Sequence, residues 1–438
     1  MAEEKRSRRE FLGAAGAAVS AAALTELAIS QGAYAAGDDA IKIGVVGCGG
    51  RGTGAAMNAM SVDKGVRLVA MADLFMDRVK GKVAGLKKQK PDQVAVDDAH
   101  CFAGFDGYKR VIECVDVVLI ACAAKFHPFY TKAAVEAGKH VFVEKPHGID
   151  PAGIKQLMDA SKLATEKKVN IVSGLQSRYD PGYVETVKRI HDGAIGDVVS
   201  IEENFLRAPY GVYRRQPNQT EMQYQFSNQY HFGWLCGDDV PQSLVHNLDR
   251  STWVLKETPP LKCHGLGGRA SMFDGSAYGN VFDHHSVIYH YTSGVRVYAF
   301  TRTETGCYDE VSSLVFGTKG RCNLLGCTIE GENKWHYEAP KDAPKMSAYD
   351  IEHKVLLDAI RSGNPVNNCD YMARSTLVTI MGQISCYTGK EVTWDQVTKS
   401  DFVLGPKCEE CSFDMEPPVK PDEKGIYPVP IPGQTKMI

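Results

Sequence analysis

Residues 41–52 read IKIGVVGCGGRG, and the fold depends on how that stretch is taken. Four β-branched residues run straight into a glycine cluster, which describes a short apolar strand with an abrupt end and a helix-like segment beyond it. The cluster Gly47-Cys48-Gly49-Gly50-Arg51-Gly52 has the spacing G-x-G-x-x-G. Between a strand and a helix this spacing has a mechanical meaning. Gly47 permits the tight turn, Gly49 lets the backbone approach a pyrophosphate, and Gly52 lets the helix pack closely on the strand. Gly50 and Arg51 then open a helix whose free N–H groups and dipole favour phosphate. Asp73 ends the next strand-like run, VRLVAMAD, 21 residues beyond Gly52. A carboxylate there accepts hydrogen bonds from a ribose 2′-hydroxyl and repels a 2′-phosphate, so the expected cofactor is NAD in preference to NADP. Arg51 is the residue that would soften that preference.

Reading outward, VDVVLIAC (115–122), KHVFVEKP (139–146) and VNIVSG (169–174) repeat the apolar-strand pattern. Helix-like segments such as 129–137 and 151–166 separate them. Continuous apolar strands between amphipathic helices predict a doubly wound parallel sheet covered on both faces, over about residues 37–175. Beyond Pro181 the rhythm changes to longer runs joined by turn signals: DVVSIEENFLR, HSVIYHYTSGVRVYAFTRT, SSLVFGTKGRCNLLG and CTIEGENKWHYE. These predict a second α/β domain, residues 176–405, built on a large, mostly antiparallel open sheet and closed by helices near 349–362 and 370–388. Residues 208–237 and 265–283 read as long irregular substrate loops. The proline-rich tail, 406–438, reads as extended and packed on the body or on a neighbouring subunit.

With 438 residues and a net charge of −3, the chain has ample core for two domains and lacks the basic footprint of a nucleic-acid binder. Its first 36 residues are set apart from the fold. Arg8 and Arg9 form a twin-arginine pair ahead of an alanine-rich stretch, and Ala33-Tyr34-Ala35 offers a small-residue cleavage site. Gly13, Gly16, Ser20, Thr25 and Glu26 interrupt that stretch too often for the roughly 20 apolar residues of a membrane span. The expected location is therefore periplasmic or secreted, after export in the folded state, and a nucleotide enzyme sent there needs a tightly held cofactor. Thirteen cysteines sit mostly in isolated apolar contexts; Cys408 and Cys411 read either as a small disulfide or as two free thiols on a turn. No four-ligand metal cluster is legible, and no metal is expected.

Glu144-Lys145-Pro146 follows another parallel strand, on the edge where such sheets bind ligands. An ammonium there would polarise a carbonyl or position a hydroxyl for proton transfer. The ordered combination GVVGCGGRG, AGKHVFVEKPHGI, VSGLQSRYDPGY, DGAIGDVVSIE, AIRSGNPVNN and IMGQISCYTGKEVTWDQ resembles the glucose–fructose oxidoreductase / inositol dehydrogenase / rhizopine-catabolism family over nearly all of residues 41–396. The resemblance implies a Rossmann domain, a second domain whose open sheet forms homo-dimers or homo-tetramers, and NAD(P)-dependent chemistry on sugars, polyols and glycosides. It also implies positions: Lys145 beside the nicotinamide and the reacting hydroxyl, Glu144 with it, His127 framing the cofactor, and Gln176 and Arg178 at the domain junction.

The segment GWLCGDDVPQSLVHNLDRSTW (233–253) resembles the family segment that ends in a histidine, with an acidic residue four positions before it. Here His246 is present, but the earlier position is Gln242, which holds a hydroxyl without accepting its proton. His246 or Lys145 is then the expected base, with Asp238 or Asp239 as substitutes from the preceding loop. Arg207, Tyr210, Arg214 and Arg215 are further candidates for reading substrate hydroxyls or a carboxylate. The leading expectation is an oxidoreductase moving hydride between a secondary hydroxyl of a sugar, polyol or glycoside and bound NAD. Two other readings stay open: a redox-assisted glycosidase that oxidises, eliminates and reduces, and a noncatalytic sugar-binding protein on this scaffold.

Overall fold

In the computed structural model the described residues are 40–270 and 278–438; the signal reading of residues 1–36 lies outside them. Six parallel strands form the first sheet: β1 (Ile41–Val46), β2 (Val66–Asp73), β3 (Cys101–Ala103), β4 (Val117–Ile120), β5 (His140–Val143) and β6 (Ile171–Ser173). Their spatial order is β3-β2-β1-β4-β5-β6, the doubly wound order of a Rossmann domain. Burial explains the composition of the strands. β4 is buried at every position, and β1 at all but Lys42, because helices cover both faces. The order reverses between β1 and β4, so the crevice for a ligand opens at their carboxyl ends.

The second sheet has nine strands, ordered β14-β13-β12-β11-β7-β10-β9-β8-β15. They are β7 (Val198–Arg207), β8 (Lys262–Gly268), β9 (His284–His290), β10 (Arg296–Thr303), β11 (Glu310–Gly317), β12 (Gly320–Asn323), β13 (Thr328–Gly331), β14 (Trp335–His336) and β15 (Val392–Thr393). All neighbours are antiparallel except β7 and β10, which pair in parallel. On β10, Val297, Ala299 and Thr301 are buried while Tyr298, Phe300 and Arg302 are only half-buried. That period-two alternation marks a sheet with helices on one face only. The covering layer includes the 20-residue helix Cys369–Thr388, buried over most of its length.

Two local features differ from the sequence reading. The span 208–237 contains the helix Glu221–Ser227, started by a capping box between Thr220 and Gln223, a T-x-x-Q signal easily lost in a polar segment. The span 265–283 begins inside β8, whose three glycines hid it as a strand. The helix Ala348–Ser362, within the stretch read as second domain, returns to the Rossmann core through Leu356 and Leu357.

Candidate nucleotide and substrate site

The glycine turn is built as its spacing predicts. Gly47 has φ +98°, and a Cβ there would lie 2.5 Å from the Cys122 nitrogen; one on Gly52 would lie 1.9 Å from the Gly47 carbonyl oxygen. A Cβ on Gly49 or Gly50 would meet no atom within 4 Å. The first and third glycines thus answer to the protein's own packing, and the middle pair faces open space. The helix Gly50–Val62 starts at Gly49 with no side-chain cap, which leaves its first N–H groups available to an anion. Asp73 is almost enclosed; its carboxylate accepts from the Cys48 N–H at 2.8 Å and the Phe75 N–H at 3.3 Å, and pairs with Arg78 at 3.3 Å.

A cleft of about 760 Å³, mouth included, runs along this turn between Asp73, Phe75, Arg78 and Gly104 at one end and Ala121–Ala123 at the other, with Phe226, Gln229 and Tyr230 on its outer wall. It continues into a second hollow lined by Arg51, Cys122, His127, Glu144, Lys145, Tyr230 and Gln242. A third, of about 400 Å³, is walled by Arg207, Tyr210, Tyr230, His231, Asp239, Gln242, Tyr278, Phe282 and Asp283. Tyr230 borders all three. Open space at Gly49 and Gly50, an uncapped helix start and a carboxylate at the β2 end together fit a dinucleotide. Its adenosine ribose belongs at Asp73, and its nicotinamide end points toward Lys145.

Lys145 donates from Nζ to the Gln242 carbonyl at 2.7 Å. That carbonyl lies in a single π-helical turn, Val240–Leu244, a distortion frequent at functional sites. Gln242 lines both the second and third hollows. His246, one turn further along, is half-buried and lines none of the three hollows. Its Nδ1 is enclosed without a hydrogen-bond partner. Burial, followed by the charges of Lys145 and Arg250, holds the imidazole well below its usual pKa, so the ring is neutral at pH 7. His127 bridges the Pro146 carbonyl at 2.7 Å and the Cys122 carbonyl at 3.1 Å, tying the Lys145 turn to the loop after β4. Burial lowers its pKa too. A neutral ring donates to only one of those carbonyls.

Several expected roles are redistributed. Arg51 binds Glu144 through Nε at 2.9 Å and through a terminal nitrogen at 2.7 Å, and stacks 4.4 Å from the Tyr349 ring. It therefore sits on the Lys145 side, and the cation beside Asp73 is Arg78, which the sequence reading missed. An arginine five residues after the strand-ending acid was the available signal. Arg178 is consumed by the buried Asp249 carboxylate, at 2.8–3.1 Å, and by Glu257 at 2.5 Å; it lines none of the three hollows. Gln176 also lies off them, its Oε1 buried without a partner.

Asp238 is wholly engaged by Tyr387 at 2.6 Å, the Phe282 N–H at 2.8 Å, the Asp239 N–H at 2.6 Å and His285 at 3.4 Å. Asp239 accepts from Arg207 and Ser243, each at 2.6 Å, and from Thr301. Asp238 is thus taken up by the protein's own donors, and Asp239, on the wall of the third hollow, already holds three of them. Arg207 also stacks 3.9 Å over Tyr210, which stacks on Tyr230 at 4.2 Å. Arg214 is exposed and borders none of the three hollows, and Arg215 is bound to Glu221 and Tyr427. Cys408 and Cys411 are free thiols. Asp283, His284 and Glu304 bring ligand atoms within 4.8 Å of one another, and His284 Nδ1 contacts Asp283 at 2.6 Å.

Geometry of this kind defines an NAD-binding oxidoreductase, and the comparisons agree. Residues 41–173 match the family model described as "Oxidoreductase family, NAD-binding Rossmann fold", the family that the chain's motifs resemble. The inositol 2-dehydrogenase of Salmonella paratyphi B is 25% identical over 334 residues, covering 74% of this chain and 87% of that enzyme. Among solved structures, GenD2 from gentamicin A biosynthesis, in complex with NAD, superposes with a TM-score of 0.63 at 18% identity, over 83% of this chain and 99% of that one. Levoglucosan dehydrogenase, in complex with NADH and levoglucosan, gives 0.62 at 15% identity, over 81% and 100%.

Proposed function

We propose that this protein transfers hydride between a secondary hydroxyl of a sugar, polyol or glycoside and a tightly held NAD. The observation that carries the proposal is the meeting of Lys145, Gln242 and Tyr230 where the nucleotide cleft joins a hollow walled by aromatic and hydrogen-bonding side chains. When bound, NAD supplies the hydride acceptor. Lys145, with one N–H held by the Gln242 carbonyl, keeps others for the substrate oxygen and stabilises negative charge developing there. His246, neutral and one turn beyond Gln242, is the base this reading assigns to the hydroxyl proton, although its ring lines none of the three hollows and must be reached past Gln242. The Gln242 amide orients neighbouring hydroxyls. The sugar and polyol chemistry of the similar enzymes supports this substrate class. Export of residues 37–438 as a folded, loaded enzyme completes the proposal, and so does association of copies through the uncovered face of the nine-stranded sheet.

The test is to purify the full chain, unfold it, and identify any released nucleotide by mass and absorbance. Sugars and polyols are then screened for reduction of the bound nicotinamide. Stoichiometric NAD or NADH and a keto-sugar product support the reading. NADP overturns the Asp73 assignment. A released sugar without net redox moves the reading to a glycosidase, and ligand binding without any nicotinamide signal moves it to a sugar-binding scaffold.

A further inference from the structure

The tail beyond Pro406 has no part in the chemistry above, yet it is bonded to the outer wall of the nucleotide cleft. The Phe413 ring packs against Phe75 (5.6 Å), Phe105 (5.1 Å) and Phe226 (6.2 Å). Phe75 and Phe226 line the cleft at its Asp73 end. Phe75 belongs to the Rossmann domain, whereas Phe226 lies on the helix Glu221–Ser227, after β7 of the second sheet. Phe413 therefore stands behind both walls and joins them. The tail then fastens that same helix twice. Gln225 donates to the Val419 carbonyl at 2.7 Å, and the buried Tyr427 donates its hydroxyl to Glu221 at 2.5 Å while its ring packs on Phe232 at 5.0 Å. Tyr230, which borders all three hollows of the site, follows three residues after this helix.

We propose that Phe413 is a positioning residue for the nucleotide: it holds Phe226 against the Asp73 end of the cleft and makes release of the bound dinucleotide slow. The inference rests on the nucleotide reading of the cleft and deepens it by assigning the retention to the tail. For nucleotide to leave by this end, Phe226 must swing outward. That motion breaks the edge-to-face contact with Phe413 and strains the Gln225 and Glu221 anchors.

The experiment loads the full chain with NADH, adds excess NAD, and follows loss of bound-nicotinamide fluorescence. In Phe413→Ala, release is expected about five- to tenfold faster, the equivalent of one or two aromatic contacts. Phe413→Trp should restore slow release, and in Phe413→Ala the Kd for NADH should rise about five- to tenfold while the single-turnover rate of the nucleotide-loaded chain changes far less. Release at the wild-type rate in Phe413→Ala overturns the inference, even if its melting temperature falls. If that variant does not fold, Tyr427→Phe removes the anchor to Glu221 and keeps the ring; it should release roughly two- to threefold faster, and an unchanged rate overturns the inference. A wild-type chain that takes up no nicotinamide nucleotide overturns the cleft reading and this inference together. Firm retention indifferent to both substitutions overturns the inference alone.

Discussion

Replacing Arg178 by methionine separates a structural role from a cofactor role. The Asp249 carboxylate is fully buried; Arg178 gives it three hydrogen bonds of 2.8–3.1 Å and Ser375 one of 2.7 Å. Methionine leaves Ser375 as the remaining donor to a charge shut away from water. Breaking one side of such a pair costs about 3–5 kcal/mol. For ~400 residues unfolding together, that cost lowers the melting temperature by roughly 4–6 °C. Glu257 keeps its partner Arg374 at 2.7 Å and adds little to the loss. Because Arg178 lines none of the hollows, affinity for NAD should change less than about twofold, which is under ~0.5 kcal/mol. The double variant Arg178→Met, Asp249→Leu should recover part of the stability, since the orphaned charge is gone. Calorimetry and NADH fluorescence titration on the same preparations decide the matter. A tenfold loss of nucleotide affinity with an unchanged melting temperature would refute the structural assignment.

Other expectations follow from the same geometry. Lys145→Met should lower kcat by about 10²–10⁴ while nucleotide binding holds; a single-turnover assay with bound NAD that loses less than tenfold counts against Lys145. Gly52→Ala places a carbon 1.9 Å from the Gly47 oxygen, so the turn must shift by about 1.3 Å at a cost of ~1–3 kcal/mol, and both melting temperature and NAD affinity should fall. Gly49→Ala meets no protein atom within 4 Å and should keep its melting temperature yet bind NAD at least about tenfold more weakly; equal binding by titration would place the pyrophosphate elsewhere. Burial also holds seven imidazoles below their usual pKa: His127, His140, His147, His231 (about 4), His246, His290 and His353 (about 3). The unfolded chain takes up those protons first, so stability should fall as pH drops from about 6.5 toward 4. Glu203, raised to about 7, and Glu352, also raised, act in the opposite sense and flatten the slope. Urea midpoints that stay constant between pH 7.5 and pH 5 would contradict this balance.

Much of the architecture was legible because it is local. Apolar strands of β1 type, glycines at fixed offsets and an acid at the end of β2 are constraints that a few consecutive residues impose on their own backbone. Gly47 and Gly52 could be assigned from spacing for that reason, and the contacts a Cβ would make there agree. The break in rhythm after Pro181 likewise marked the change from a sheet buried on both faces to one covered on a single face.

Partnership is a different kind of information. Which cation faces which carboxylate depends on side chains that meet across long separations: Arg51 with Glu144, Arg178 with Asp249, Asp238 with Tyr387. Sequence spacing placed Arg51 near the ribose and left Asp238 and Asp239 open as bases. Folding turned Arg51 toward the Lys145 turn and committed both carboxylates to donors from β7, β10, the loop before β9 and the last long helix. The tail is the clearest case, since nothing in a proline-rich run foretells that Phe413 will lie behind a nucleotide cleft. The sequence alone determined the class of fold, the glycine turn and the lysine edge, because short-range geometry dictates them. Only the tertiary structure decided which charged groups stay available to a substrate, because a buried charge is held by whichever partner the packing brings within hydrogen-bond reach.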